Sequence, residues 1–367
     1  MRRLGHFFRR PDSLVGLDIG SNAVKVVELD VNGDCCEVAA MASAPVPFGS
    51  LVDGVIVDST AVAGAIGRAL DTGRVRGRRV AASLSRHAVM VKRLAVPFMD
   101  RAELAASIRI EAERHVPFDV DDVNLDYHVL EPVTAIAGHD TLEVMLVAAK
   151  KDTVARYTEV IREAGCAPVV IDVGAFALQN AYAFNHGADG RIAALLDVGA
   201  SAVTVNIVRG ARPIFTRDIA GGGIACTEAL RRELELSFED AERVKRGLPV
   251  PGCRVEEAAA VVHAAGEELL AEIQKTFDFR APDVEDVRIE NIVLSGGASA
   301  ANGFEAACGR RFEATVERLD PFRRVALATG LAEDAVRFGM GSAAAVAVGL
   351  ALRGAEEQRI DDPDQPG

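Results

Sequence analysis

Two short stretches, one in each half of the chain, repeat a single pattern. Residues 18–26 read DIGSNAVKV and residues 197–205 read DVGASAVTV, so one Asp, one Gly, one Ala and two Val recur at the same offsets. An apolar run stands before and after each stretch, as in a strand–turn–strand pair. Two such units, each opening one half of a 367-residue chain, predict two duplicated lobes with a shared cleft.

Both turns have a composition that suits the binding of an anion. Gly20 and Gly199 permit a tight turn between paired strands. Their small neighbours let backbone N–H groups approach a phosphate closely. The phosphate-binding residues predicted from the two turns are Gly20, Ser21, Asn22, Gly199, Ala200 and Ser201.

Charged residues flank both turns. Asp18 and Asp197 stand where a strand enters its turn, and Lys25 interrupts the apolar strand that follows the first turn. A carboxylate would repel a phosphate unless a divalent cation lay between them, and Mg²⁺ favours carboxylate, water and phosphate oxygens. Lys25 can reach the same phosphates as a point charge. The alternative is a pair of ordinary hairpins, which would leave these charges buried and unpaired at a large cost.

Three later segments add candidates for the same site. NIVLSGGASAANGF predicts a strand, a glycine loop and a helix, and IAGGGIACTEAL predicts a helix that begins after glycines. FEDAERVKRG places an acid and a base three residues apart on one helix face. Taken alone, each has an ordinary interpretation: a strand–helix turn, a helix N-terminus and a surface ion pair. The candidate residues are Gly222, Gly223, Glu242, Lys245, Gly296, Gly297 and Ala298.

Charge and composition exclude some classes of protein. The net charge of -13 argues against a nucleic-acid-binding protein, which presents a basic surface. The six cysteines form no C-x-x-C pair, which gives a zinc site little support and fits a reduced cytosol. No apolar run approaches the roughly 20 residues that span a bilayer. The first ten residues, MRRLGHFFRR, predict either a flexible basic arm or an aid to contact with an anionic membrane surface.

The order of these patterns predicts how the chain is divided. The segment after residue 86 changes to a charged amphipathic helix followed by strands, which is typical of an inserted α+β module. The predicted divisions are a basic arm at 1–13, a first lobe at 14–190 with an inserted subdomain at about 86–167, a second lobe at 191–340, a C-terminal helix that returns to the first lobe at 341–353, and a disordered tail at 354–367.

The five elements, in this order, resemble the actin/Hsp70/sugar-kinase superfamily. Longer stretches, among them IEAERHVPFDVDDVNLDYHVL, PIFTRDIAGGG and VAVGLALRG, are similar to the PilM family of type IV pilus assembly proteins. The resemblance extends from about residue 14 to residue 354. It implies an α/β, actin-like two-lobed ATPase fold of duplicated RNase H-like domains, with an inserted subdomain like that of FtsA.

The resemblance also implies the cofactors, ATP and Mg²⁺, held between the lobes. The candidates in the two turns, together with Lys25, would contact the phosphates. Those in the three later segments would face the adenosine. Asp18 and Asp197 would hold Mg²⁺ through phosphates and water.

The partners implied by the resemblance belong to the pilus machine. The family acts as a scaffold at the inner membrane, where it binds the cytoplasmic N-terminal peptide of PilN in a groove beside the inserted subdomain. It forms a ring, communicates with the motor ATPases and platform protein, and reaches the membrane through partners. Glu113, Pro117 and Phe118 are the predicted groove residues, with a plain helix end packed on a strand as the alternative.

Two departures from the superfamily pattern bear on catalysis. Gly174 and Ala175 stand where many relatives carry a Glu-Pro that helps to position the attacking water, and Gln179 lies one turn further on. Ala202 and Val203 stand where relatives often carry a hydroxyl. Both departures favour holding ATP over hydrolysing it. An active ATPase, a small-molecule kinase and a polymerising actin-like protein stay open as alternatives.

Overall fold

The computed structural model describes residues 14–32, 35–84, 88–136, 139–187, 190–278, 289–328, 330–331, 333 and 339–360. The predicted basic arm at 1–13 and residues 361–367 of the predicted tail lie outside the described residues. Within the described part of the chain, no helix combines the length and apolar character needed to cross a bilayer.

The described strands form two large sheets, one small sheet and a short hairpin. The strands are β1 (Leu14–Ile19), β2 (Ala23–Asn32), β3 (Cys35–Pro45), β4 (Leu51–Val52), β5 (Val55–Ile56), β6 (Arg79–Leu84), β7 (Val89–Pro97), β8 (Val123–Ile136), β9 (His139–Lys150), β10 (Ala167–Val173), β11 (Ile192–Val198), β12 (Ala202–Arg209), β13 (Arg212–Ala220), β14 (Asn291–Ser295), β15 (Thr315–Arg318) and β16 (Ala326–Leu327).

Helices cover the sheets and connect them. They are α1 (Ser59–Gly73), α2 (Arg101–His115), α3 (Lys151–Glu163), α4 (Gly174–His186), α5 (Gly223–Leu234), α6 (Phe238–Lys245), α7 (Val255–Asp278), α8 (Phe304–Phe312) and α9 (Ala345–Ile360). The last helix runs seven residues beyond the predicted helix end at 353.

The two large sheets repeat one topology. The first has the order β10-β6-β1-β2-β3-β16 and the second the order β13-β12-β11-β14-β15. In each, three consecutive strands pair antiparallel, and the first of the three then pairs in parallel with a later strand. The duplicated two-lobed α/β architecture predicted from the repeated turns is therefore confirmed.

The strand patterns follow from burial on both faces. Leu14, Val15 and Leu17 of β1 are all buried, because helices pack on both sides of this central strand. Such strands are near-continuous apolar runs. Each fully buried side chain of this size contributes about 1.5–3 kcal/mol of transfer free energy.

The region between β7 and β9 has a core of its own. There α2 packs on the sheet β7-β9-β8 through Leu104, Ile108 and Ala112. Asp100 caps the helix by accepting hydrogen bonds from the N–H groups of Ala102 and Glu103. By contrast α3, which the predicted 86–167 subdomain also contains, packs in the core of the first lobe.

The final helix, α9, lies against β1 and α4 at very short range. A Cβ added to Gly16 would stand 1.9 Å from the carbonyl oxygen of Ala347, and one added to Gly349 would stand 1.7 Å from that of Ala177. Glycine is therefore required at both contacts, since any side chain would push α9 away from β1 or from α4.

Candidate functional site

The two repeated turns face each other across a cleft between the lobes. Each turn closes in the same way, with Gly20 N donating to Ala23 O at 3.1 Å and Gly199 N donating to Ala202 O at 2.9 Å. The hydroxyl oxygens of Ser21 and Ser201 lie 3.0 Å apart and bridge the turns. The repeat in the sequence thus becomes a pair of opposed loops in space.

The cleft contains a cavity of about 200 Å³. Its lining includes every predicted phosphate-site residue, which are Asp18, Gly20, Ser21, Asn22, Lys25, Asp197, Gly199, Ala200 and Ser201. Of the later candidates, it includes Glu242, Lys245, Gly296, Gly297 and Ala298.

Gly222 and Gly223 lie behind the second turn and are not among the described residues that line the cavity. Gly223 N donates to Gly199 O at 3.0 Å, so α5 begins directly against the turn. A Cβ on Gly222 would stand 2.5 Å from Gly199 O. These two glycines shape the second turn by allowing close backbone approach.

Lys25 and Asp18 are partners across the first hairpin. They face each other in the β1–β2 register, and Lys25 Nζ lies 2.7 Å from Asp18 Oδ2. Burial lowers the pKa of Lys25, but the charges of Asp18 and Asp197 outweigh burial, so that pKa is raised above its ordinary value. Lys25 therefore stays cationic, as a phosphate ligand must.

Asp197 is the carboxylate of the cleft whose ionisation is disfavoured by its surroundings. Burial, and next the charge of Asp18, raise the pKa of Asp197 from 3.8 to about 6, against the opposing effects of Lys25 and a hydrogen bond from Ser295. One ammonium for two half-buried carboxylates leaves negative charge that a divalent cation would neutralise. The donor set thus fits Mg²⁺ held beside nucleotide phosphates.

The glycine loop after β14 is equally constrained. Gly296 has a φ of 82°, and a Cβ there would stand 2.3 Å from Val198 O and 2.7 Å from Asp197 Oδ1. Only glycine can bring this loop so close to the end of β11. The loop consequently forms one wall of the cleft beside Asp197.

Glu242 and Lys245 form a buried cluster with Thr227 of α5. Lys245 Nζ donates to Thr227 Oγ1 at 2.8 Å, to Gly223 O at 3.2 Å and to Glu242 Oε1. Burial raises the pKa of Glu242, but Lys245 and its hydrogen bonds outweigh burial and lower that pKa. Lys245 is only 6% exposed, so the surface-ion-pair alternative is wrong.

Some lining residues escaped the sequence interpretation. Thr204 lines the cavity, and the repeat itself held the signal, because Thr204 occupies the offset at which the first copy has Lys25. Asp53 and Gly54 also line it, from the β4–β5 hairpin. Tyr157 holds that hairpin by donating its hydroxyl to Gly54 O at 3.0 Å, a contact between distant segments that no local pattern reveals.

The connection between the lobes places Gln179 away from the cleft. Its Nε2 donates to Ala211 O at 2.8 Å, and its Oε1 lies 3.4 Å from Asn206 Nδ2. Among the described residues, Gln179 lines a different cavity. It is a buried structural residue of the lobe interface.

That second cavity has a volume of about 680 Å³ and lies where three parts of the chain meet. One wall is β8 of the inserted sheet, the second is β10 with α4, and the third is the β12–β13 turn. Arg93 of β7 ties the inserted sheet to the second lobe, donating to Ile214 O at 3.2 Å while two 2.7 Å hydrogen bonds hold it to Glu143.

Glu113, Pro117 and Phe118 are exposed at the end of α2. None of the three is among the described residues that line the second cavity. The Phe118 ring lies 4.2 Å from Lys150 Nζ, a cation–π contact to the end of β9. Their predicted contact with a partner stays a prediction.

Two duplicated lobes, opposed turns and a glycine loop define an actin-like ATPase fold. Structures with this fold include MreB5 of Spiroplasma citri bound to ADP (TM-score 0.54, 12% identity, 96% of this chain and 100% of that chain). Another match is the ethanolamine utilization protein EutJ from Carboxydothermus hydrogenoformans (TM-score 0.56, 15% identity, 93% and 90%).

Within this fold the family is defined by sequence. The family model for type IV pilus assembly protein PilM matches residues 16–355, and the chain belongs to that family. A chain in the structure of a PilM–PilN type IV pilus biogenesis complex is 31% identical, with a TM-score of 0.81 over 94% of this chain and 99% of that one.

Proposed function

We propose that this protein is an ATP-binding scaffold of the type IV pilus machine that binds the cytoplasmic N-terminal peptide of a PilN-like membrane protein. The observation that carries the proposal is the 31% identity, over nearly the whole of both chains, to a chain of a PilM–PilN complex. The closed, charged cleft supports the nucleotide part, and the second cavity supports the peptide part.

Mg-ATP would stabilise the closed arrangement of the lobes. The two turns would hold the phosphates, with Lys25 as cation and Asp18 and Asp197 facing Mg²⁺. The Glu242–Lys245 cluster and the Gly296 loop would enclose the adenosine. Because residues of both lobes would bind one ligand, the nucleotide would fix the position of the β12–β13 turn.

The second cavity is the docking site we propose for the peptide. Among the described strands, β8 and β10 are outermost in their sheets, and both line this cavity. An extended peptide can hydrogen-bond to the edge of a sheet and place alternate side chains in pockets. The apolar side chains of Leu125, Met145 and Phe176 in the lining would take its apolar residues.

The same proposal includes the location of the protein in the cell, its assembly and its further partners. The protein would work in the cytoplasm at the inner membrane, brought there by its peptide partner and aided by the basic segment 1–13. It would assemble into a ring and contact the motor ATPases and the platform protein. These contacts follow from membership of the family and are proposals for this chain.

A calorimetric titration with a peptide copying the N-terminus of the neighbouring PilN-like protein tests the docking site. We expect saturable binding that Asn124→Trp abolishes, because Asn124 is exposed and lines the cavity. Val129→Trp, on the same strand but outside the described lining, should bind like wild type.

Two other outcomes of the titration would change the proposed docking site or the proposed function. Phe118→Ala tests the position predicted from sequence, and loss of binding in this variant but not in Asn124→Trp would move the groove to the end of α2. Absence of binding by folded, ATP-loaded wild type would contradict the scaffold proposal.

A further inference from the structure

We propose that Thr204 holds the water molecule that attacks the terminal phosphate of a nucleoside triphosphate in the cleft, and that Asp218 positions the Thr204 hydroxyl. The inference rests on the nucleotide binding proposed above. It assigns slow hydrolysis to a protein whose sequence shows no water-positioning residue in the connection between the lobes.

The hydroxyl of Thr204 is directed to a carboxylate. Thr204 Oγ1 donates to Asp218 Oδ1 at 2.6 Å, a short hydrogen bond of the charge-assisted kind. Thr204 also lines the cavity that contains Asp18, Lys25 and the two turns. Thr204 therefore stands at the wall of the cleft where phosphates would lie, and Asp218 is bonded to it from the neighbouring strand.

Strand register fixes the pair on the face of the cleft. Thr204 of β12 lies directly opposite Asp197 of β11 on one side and Asp218 of β13 on the other. Side chains of directly opposed residues point to the same face of a sheet. The charge of Asp218 also acts on Asp197, which agrees with this closeness.

Other polar groups of the cleft have different partners. Lys25 is paired with Asp18, and Thr227 is bonded to Glu242 and Lys245 behind the start of α5. Gln179, one turn beyond the usual water-positioning residues, is hydrogen-bonded to Ala211 O. Thr204, which the repeat places at the offset of Lys25, is hydrogen-bonded to Asp218 of the next strand.

The chemistry of the pair suits activation of water. Because the Thr204 proton is directed to Asp218, the lone pairs of Oγ1 can accept a hydrogen bond from water. The water oxygen forms a bond to the terminal phosphorus as the bond to the bridging oxygen breaks, and that oxygen leaves on the diphosphate with the electron pair. The water proton passes to Thr204 while the Thr204 proton passes to Asp218, which releases it to solvent.

The test separates binding from hydrolysis. Dissociation constants are measured by calorimetry with a non-hydrolysable ATP analogue and Mg²⁺, and hydrolysis by single-turnover ADP formation with protein in excess. We expect Thr204→Val and Asp218→Asn to bind the analogue like wild type and to hydrolyse ATP about 100-fold more slowly. Thr204→Ser keeps the hydroxyl and should stay within about threefold of wild type.

Thr216→Val is the matched control. Thr216 makes a similar cross-strand hydrogen bond, from its hydroxyl to Asn206 Oδ1 at 3.0 Å, but is not among the described residues of the cavity wall. We expect its hydrolysis rate to equal that of wild type. Thermal melting shows whether each variant is folded.

Two results would overturn the inference alone: a wild-type protein that binds the analogue without hydrolysing ATP, or a Thr204→Val variant with the wild-type rate. Failure of folded wild type to bind any nucleotide would overturn the proposed function and this inference together. The two failures are therefore distinguishable.

Discussion

At the scale of single residues, a carboxylate of the cleft that would face a bound cation lowers the stability of the folded protein when no cation is present. Asp197 is half-buried at a strand end, next to the carboxylate of Asp18 and with Lys25 as shared counter-charge. An ionised carboxylate in this position costs folding free energy in the absence of a cation. A carboxylate at this position therefore points to a function that needs negative charge at this point of the cleft.

Asp197→Asn should be more stable than wild type at neutral pH. The folded pKa of Asp197 is about 6 and its ordinary value is 3.8, so ionisation destabilises the folded state progressively as the pH rises from about 4 to above 6. We expect a gain of about 1–3 kcal/mol in unfolding free energy near pH 7.5 and almost none near pH 4.

Urea unfolding of both proteins at the two pH values measures this difference. A gain that is the same at both values, or a loss near neutral pH, would show that ionisation of Asp197 does not destabilise the folded state.

The same variant should also bind Mg-ATP more weakly, because one of the two carboxylates facing the metal is removed.

At the scale of elements, the most constrained contact is that of α9 with the first lobe. The helix carries few large side chains along residues 345–352, and its glycine allows the backbone of α4 to come close. Close helix packing of this kind leaves no room for relaxation.

Gly349→Ala should destabilise the protein by several kcal/mol, since the added Cβ would stand 1.7 Å from Ala177 O. Gly67→Ala in α1 is the control, because a Cβ there meets nothing within 4 Å. It should stabilise the helix by about 0.5–1 kcal/mol. Chemical denaturation of the two variants should give opposite signs, and equal signs would contradict the packing described for α9.

The elements also show what a sequence can and cannot reveal. The two turns, the Gly296 loop and the Glu242–Lys245 pair were predicted because glycine placement, apolar flanks and helical spacing are local signals. The burial of Lys245 beside the half-buried Glu242 was missed, since it depends on Thr227 of another helix. The packing of α3 in the core of the first lobe was missed because it too depends on contacts with distant segments.

Thr204 and Asp218 illustrate the limit most directly. Their hydrogen bond depends on the register of β12 with β13, which the sequence does not fix by itself. The second cavity depends on three segments from distant parts of the chain. The predicted groove residues were chosen instead from one helix end, the only part of such a surface that a local pattern can suggest.

At the scale of the whole molecule, the two lobes and the inserted sheet form a connected system. The lobes meet at the Ser21–Ser201 hydrogen bond, and Arg93 joins the inserted sheet to the second lobe. The cleft of about 200 Å³ is below the usual range for ligand pockets of about 300–1,000 Å³. Entry of a nucleotide would require the two turns to separate, which would also move the wall of the second cavity formed by the β12–β13 turn.

The two repeated turns are expected to build one nucleotide site. Calorimetric titration of Mg-ATP into wild type, Asn22→Tyr and Ala200→Tyr tests whether both turns contribute to it. Each substitution fills the same cleft from a different lobe, whereas Ala106→Tyr on the exposed face of α2 is the control. We expect one nucleotide bound per chain, at least about tenfold weaker binding for either cleft variant, and unchanged binding for the control. Two nucleotides per chain, or a cleft variant from one lobe that binds like wild type, would show that the two turns do not form a single site.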